Sequence, residues 1–218
     1  MEQNGMEKPW RTILVEDQAL LRNVLAKAIR LDQRFELVAD AEDGLEGKRV
    51  CEELVPDLLI TDIHLPGMDG VELAAWVIKA LPSVRVLALT NMKDPFTLNR
   101  LQEIGIHGYV EKDQPLEILE EAMVEIASGH TYFTATIMSS QARLSDDPNA
   151  FSKVLSARDQ EILCLVAQGE TSKVIGERLE LSRRSVETYR YRIMKKLGLK
   201  SSAELVDYAY KNGFTRPE

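Results

Sequence analysis

The stretch TDIHLPGMDG, residues 61–70, decides how the first half of this chain folds. It begins at the end of the apolar run 58–61, places Asp62 immediately after that run, and then turns at Pro66 and Gly67 before a helix led by Asp69. Proline presets one turn dihedral and glycine accepts the left-handed one, so this is a strand, a tight turn and a helix start. Working outward, four similar runs lie at 12–15, 35–39, 84–89 and 108–110. Between them, apolar residues recur at helical spacing: Leu20, Val24 and Ile29; Leu45 and Val50; Val71, Ala74, Ala75 and Ile78; Leu98 and Leu101; Leu116, Leu119, Met123 and Ile126. Continuous apolar strands alternating with helices predict an α/β fold, a doubly wound five-stranded parallel sheet covered on both faces.

Such a sheet brings the carboxyl ends of its strands to one edge, where ligands bind. Glu16 and Asp17 follow the first strand, Asp62 the third, Thr90 ends the fourth, and Lys112 follows the fifth. Three carboxylates at one edge repel unless a cation joins them, and hard oxygen ligands suit Mg²⁺. A divalent metal site is therefore expected.

The second half has another character. Residues 144–152, LSDDPNAFS, carry no periodic apolar positions and read as a linker. Beyond it no strand signal remains, and helical stretches are expected at 157–167, 171–179, 183–197 and 202–210, with Gly169 ending the first and Ser182 capping the third. On a helical wheel the third places Val186, Ile193 and Leu197 on one face and Arg184, Thr188, Tyr191, Arg192 and Lys195 on the other. Residues 183–200 hold seven basic side chains against the single acid Glu187. Charge divides the same way: residues 151–218 have 13 Lys+Arg and 9 Asp+Glu, a balance of +4, so residues 1–150 hold −12 of the overall −8. Only the second part is suited to a polyanion, and a basic third helix after two short helices fits a helix-turn-helix reader of duplex DNA.

Composition excludes several classes. The longest apolar runs are too short to span a bilayer, and the opening MEQNGMEKPW lacks the apolar stretch of a signal peptide, so a cytoplasmic protein with no membrane partner is expected. Cys51 and Cys164, more than a hundred positions apart within helical patterns, are expected as buried thiols and not as a bridge.

The set Glu16-Asp17, Asp62 in TDIHLPGMDG, Thr90 and Lys112 in GYVEKD resembles the receiver domain of two-component response regulators over about residues 11–128. That resemblance implies that Asp62 is the phosphoacceptor and that Mg²⁺ is held by Glu16, Asp17, Asp62 and the backbone carbonyl of His64. It further implies that Thr90 hydrogen-bonds the phosphoryl group, that Lys112 pairs with it, and that Tyr109 fills the space Thr90 vacates. Many receivers carry two aspartates where this chain has Glu16-Asp17, and small residues where it has Asn91 and Met92. Whether the His64 ring, together with Met92, governs water access to the phosphorylated aspartate or is inert is left open by the sequence.

The stretch LSARDQEILCLVAQGETSKVIGERLELSRRSVETYRYRIMKKLG is similar to the LuxR-type effector of the NarL/FixJ subfamily, over about residues 153–213. The resemblance implies that Glu187, Thr188 and Tyr191 face bases, with Thr171, Ser172, Arg184, Arg192 and Lys195 as candidates for phosphate contacts. Glu187 stands where many relatives have lysine and Tyr189 where histidine is frequent, so the recognised sequence is expected to differ from theirs; a carboxylate there can accept from cytosine N4.

The expected division is an N-terminal extension at 1–10, a receiver at 11–130, a linker at 131–152 and a helix-turn-helix domain at 153–218. The expected function is a transcriptional regulator that takes phosphate from a sensor histidine kinase, with at most slow self-phosphorylation and self-dephosphorylation, and binds promoter DNA as a homodimer. Two rival readings make demands that this sequence does not fit. An aspartyl-phosphate hydrolase needs a second acid-base aspartate close behind the nucleophile, where this chain has His64, and a substrate cap, for which no segment exists. A regulator whose receiver serves only for phosphate-independent dimerisation would not need the complete set of switch residues.

Overall fold

The computed structural model describes residues 8–91, 95–134 and 150–214, with Pro95 described in its backbone only. Met92, most of the expected N-terminal extension and most of the expected linker lie outside the described residues.

The first unit alternates strand and helix. Its elements are β1 (Trp10–Val15), α1 (Ala19–Leu31), β2 (Phe35–Ala41), α2 (Gly44–Leu54), β3 (Leu58–Asp62), α3 (Gly70–Ala80), β4 (Arg85–Thr90), α4 (Pro95–Ile104), β5 (Gly108–Glu111), α5 (Leu116–Ala127) and β6 (Tyr132–Phe133). The sheet order is β2-β1-β3-β4-β5-β6. Every pairing is parallel, which requires each connection to cross back over the sheet and accounts for the interleaved helices. β3 is buried along its whole length, as a central strand covered on both faces must be. Alternate residues divide the core between those faces. Leu14, Leu58, Ile60, Leu87, Leu89 and Val110 pack with Leu25, Ala26 and Ile29 of α1 and with Leu119, Met123 and Ile126 of α5. On the other face Gly47 lies so close to Val15 and Leu73 that a Cβ there would meet a Val15 methyl at 2.8 Å, so α2 sits directly on the sheet.

Local chemistry sets the helix ends. Asp43 caps α2 by accepting from the Glu46 N–H at 2.8 Å, and Asp69 caps α3 by accepting from the Val71 N–H at 2.7 Å. At its other end α2 stops at Val55, which adopts a left-handed φ of 41°. The Arg11 guanidinium donates to the carbonyls of Leu54 at 2.7 Å and Val55 at 3.1 Å, satisfying groups the helix leaves open.

β6 was not expected. Two residues are too few to display a strand period, and the strand is fixed by a tertiary bond, the Tyr132 N–H donating to the His107 carbonyl at 3.0 Å. Gly108 permits this approach, since a Cβ there would lie 2.5 Å from Ile126 Cδ1 and 3.1 Å from the Tyr132 carbonyl.

The second unit is helical: α6 (Phe151–Val154), α7 (Ala157–Ala167), α8 (Ser172–Arg178), α9 (Arg183–Leu197) and α10 (Ser202–Lys211). The start of α4 groups with it. Its core joins Phe151, Ile162, Leu163, Val166, Ile175, Val186, Ile193, Leu205 and Phe214 with Phe96. Phe96 stacks on Phe214 at 4.2 Å between centroids, and Phe151 meets Phe214 edge-on at 5.0 Å. α6 begins inside the expected linker and runs two residues past its end, and four residues give no repeated helical period to read.

Cys51 is buried and Cys164 half-buried, both free, and burial pushes the Cys51 thiol up to about 12. Among the described residues, no helix is long and apolar enough to cross a membrane.

One residue opposes the pattern. Glu111, at the end of β5, is 1% exposed, and among the described residues neither of its carboxylate oxygens has a hydrogen-bond partner. An orphaned buried polar group costs about 1–3 kcal/mol, and a charged one more. Glu111→Leu is therefore expected to raise stability by about 1–3 kcal/mol, read as a higher urea midpoint at unchanged slope.

Candidate functional site

The carboxyl edge of the sheet gathers the residues that the sequence marked. β1 delivers Glu16 and Asp17, β3 ends on Asp62, β4 on Thr90, and Lys112 follows β5. The registers Thr61↔Ala88, Asp62↔Leu89 and Thr90↔Glu111 keep these strand ends level. One carboxylate oxygen each from Glu16, Asp17 and Asp62 lies within 4.8 Å of the others. Glu16 and Asp62 are buried at 0% and 3% exposure, whereas Asp17 faces solvent.

Lys112 binds this cluster. Its Nζ lies 2.8 Å from Asp62 Oδ2, and 2.9 Å and 2.7 Å from the two oxygens of Glu16. Burial raises the Glu16 carboxyl above its ordinary range, and Lys112 opposes that shift only in part. Glu16 Oε2, although close to the ammonium, has no partner in hydrogen-bond geometry. A crowded set of hard oxygens, one of them buried and unsatisfied, fits a small divalent cation, and Glu16, Asp17 and Asp62 are the residues that would hold it.

The turn after Asp62 is built around two close approaches. The Ile63 N–H donates to Asp62 Oδ1 at 2.6 Å, fixing that carboxylate, and Gly67 takes φ +74°. At Gly70 a Cβ would lie 1.9 Å from the Asp62 carbonyl oxygen, so only glycine lets α3 begin against the end of β3. His64 is half-buried, with its Nε2 buried and unpartnered. Thr90 and Tyr109 are both wholly buried.

The second candidate surface is on α8 and α9. Thr171 caps α8, its hydroxyl accepting from the Val174 N–H at 3.4 Å, and Ser182 caps α9, accepting from the Ser185 N–H at 3.0 Å. The turn between these helices is tight, because a Cβ at Gly176 would stand 2.6 Å from the Leu181 carbonyl. Val186 and Ile193 are buried, while Arg183, Arg184, Glu187, Thr188, Tyr191, Arg192, Lys195 and Lys196 are exposed, so the expected two-faced helix is observed. Tyr191 is 67% exposed, a large aromatic surface left in water. Arg183 pairs with Glu187 at 2.8 Å, Thr188 donates to the Arg184 carbonyl at 2.9 Å, and Arg190 reaches Ser172 Oγ at 3.5 Å.

Arg192 is differently engaged. It bonds Asp159 of α7 through two guanidinium nitrogens and lies 4.3 Å from the Tyr189 ring centroid. Lys196 donates to the other Asp159 oxygen at 2.7 Å. Asp159 is 0% exposed and completes a capping box with Ser156. Burial pushes its carboxyl up, but hydrogen bonds from Lys196, Arg192 and Ser156 outweigh that and hold it at about 2. The sequence reading missed this residue, although S-x-x-D ahead of an apolar run is a readable cap signal.

Two family models match the chain: residues 12–124 match the response regulator receiver domain, and residues 153–209 the luxR family of bacterial regulatory proteins. The transcription regulator BvgA of Bordetella pertussis is 31% identical over 93% of this chain and 97% of its own. The oxygen regulatory protein NreC of Staphylococcus aureus is 33% identical over 92% of this chain and 97% of its own. Among solved structures, RcsB of Salmonella enterica bound to a promoter with a phosphomimetic has TM-score 0.66 at 22% identity, covering 94% of this chain and 100% of that one. ChrA, from a heme-sensing two-component system, has TM-score 0.54 at 26% identity, covering 94% and 98%.

Two outcomes are expected. Gly70→Ala should cost about 2–3 kcal/mol in denaturant unfolding, since the added methyl meets backbone that cannot yield. Because the Asp159 carboxyl lies below its ordinary value, its contribution is complete above about pH 4 and is lost as pH falls through about 2. Asp159→Asn should therefore flatten the stability profile of the helical unit between those values, by on the order of 2 kcal/mol.

Proposed function

The chain belongs to the response regulators that join a receiver domain to a LuxR-type DNA-binding domain, and from that premise we propose that phosphorylation of Asp62 controls the binding of α9 to promoter DNA. It is a phosphorylation-controlled transcription regulator in a family of regulators, not of conventional enzymes. The receiver is assigned to residues 11–130, the linker to 131–152 and the DNA-binding domain to 153–218, with 1–10 as an extension.

The observation that carries this reading is Asp62, buried at a strand end, with its Oδ2 on Lys112 and two further carboxylates beside it. An Asp62 oxygen attacks the phosphorus of a phosphohistidine on the sensor kinase; the new O–P bond forms as the P–N bond breaks and the imidazole leaves. Phosphoryl transfer asks little covalent help of a protein beyond positioning and charge neutralisation. Lys112 stands where it can pair with the transferred oxygens, and the Ile63 N–H holds the other Asp62 oxygen in place. Glu16, Asp17, Asp62 and the His64 carbonyl would hold Mg²⁺, which would supply further positive charge against the phosphoryl oxygens. Thr90 is assigned a hydrogen bond to that group and Tyr109 the position that follows Thr90. Loss of the phosphoryl group is assigned to slow self-dephosphorylation.

At the effector, Glu187, Thr188 and Tyr191 are assigned to base edges, and Thr171, Ser172, Arg184 and Lys195 to phosphates. Arg192, expected among the phosphate contacts, is bonded to Asp159. Two copies on paired half-sites gain effective concentration, and the RcsB structures that contain dimers on DNA support that arrangement here. A cytoplasmic location agrees with the lack, among the described residues, of a membrane-spanning helix.

With Mg²⁺ and a small phosphoramidate donor, intact-mass measurement should show one phosphoryl adduct, labile to hydroxylamine. Asp62→Asn should abolish it, and Lys112→Ala should slow its formation by at least tenfold, about the effect of 1.4 kcal/mol. An adduct that survives Asp62→Asn places the acceptor elsewhere.

A further inference from the structure

We propose that Asp159 is a positioning residue for DNA binding, which holds Arg192 and Lys196 away from phosphates and so fixes both the seat and the usable charge of the recognition helix α9. The inference rests on the reading of α9 as the DNA-facing helix and adds which of its cations reach the polyanion.

Asp159 has no exposed surface, and its carboxylate is bonded on both oxygens: Oδ1 by two nitrogens of Arg192, Oδ2 by Lys196 at 2.7 Å and by the Ser156 N–H at 3.1 Å. Arg192 and Lys196 are one helical turn apart, so a single buried anion grips two successive turns of α9 from beneath. The Arg192 guanidinium also lies against the Tyr189 ring, which fixes its plane.

Competition with DNA is decided by magnitude. Taking one partner from a buried charge pair shifts an equilibrium by two or more powers of ten. A phosphate contact is worth only about fivefold at physiological salt, through the counterion it releases. The Arg192 and Lys196 side chains are 47% and 35% exposed, which reduces the pairing by solvent screening but leaves the carboxylate itself dry. Both cations therefore stay on Asp159 when DNA arrives. Arg183 is already paired with Glu187, and among the described residues no carboxylate lies within ion-pair distance of Arg184, Lys195 or Lys200. These last three supply the phosphate-directed charge of the helix and its end.

The test is the salt dependence of binding of the full chain to a mixed-sequence 30-base-pair duplex, about three helical turns. Lys195→Ala should flatten the log–log slope by about 0.9 for each contact removed, whereas Arg192→Gln and Lys196→Gln should leave it as in the unmodified protein. Each glutamine still offers Asp159 a donor, so if one variant fails to fold the other decides. Asp159→Asn should steepen the slope, by up to about 1.8 per protomer, as two cations are set free. A purely structural role for Asp159 would change affinity or melting temperature without moving the slope. Arg192→Gln or Lys196→Gln flattening the slope as Lys195→Ala does, or Asp159→Asn leaving it no steeper, overturns the proposal. If even Lys195→Ala leaves the slope unchanged, the reading of α9 as the DNA face falls, and this inference with it.

Discussion

The structure depends on keeping like charges together. Glu16, Asp17 and Asp62 are brought within a few ångströms of one another, and two of them are withdrawn from water, an arrangement that costs free energy when the chain folds. It survives because the strands ending there are locked by a core on both faces and because Lys112 places one ammonium against both Asp62 and Glu16. The parallel architecture is the means to this end. Only when strands run the same way do the ends of β1, β3, β4 and β5 meet along a single edge.

The helical unit solves a smaller version of the same problem. Asp159 is as dry as Glu16, but it is answered by two cations and a backbone N–H, and its carboxyl is held down at about 2, whereas that of Glu16 is pushed up. The difference lies in supply: Lys112 serves two carboxylates at the sheet edge, while two cations serve one beneath α9. The sheet edge is thus short of positive charge and is suited to accept a metal ion, whereas the Asp159 cluster is complete in itself.

Much of this was legible in the sequence for identifiable reasons. Asp62 announces itself because a run of four apolar or β-branched residues precedes it and a proline-glycine turn follows. Glu16, Thr90 and Lys112 could be placed beside it because parallel topology fixes which strand ends meet. Apart from the cap signal at Asp159, what escaped notice lacks a local signature. β6 has two residues and α6 four, each only about one period of its pattern, so neither shows the repeat that would reveal it. The contacts of Phe96 with Phe151 and with Phe214 span 55 and 118 positions in sequence and cannot be inferred from spacing. Arg192 reads on a wheel as one more basic residue of a solvated face, since its partner lies 33 residues away. Glu111 is the reverse case: an acidic residue in GYVEKD gives no hint that it is buried without a partner.

The strand order also constrains how the molecule comes into being. β1 is the first strand to leave the ribosome, yet it sits inside the sheet between β2 and β3. Its second edge stays bare until β3 has been synthesised, and the last of the convergent residues, Lys112, arrives some fifty positions later still. Non-local parallel pairing is slow because loop closure precedes its reward. The acidic residues at the ends of β1 and β3 are therefore made well before the lysine that collects them.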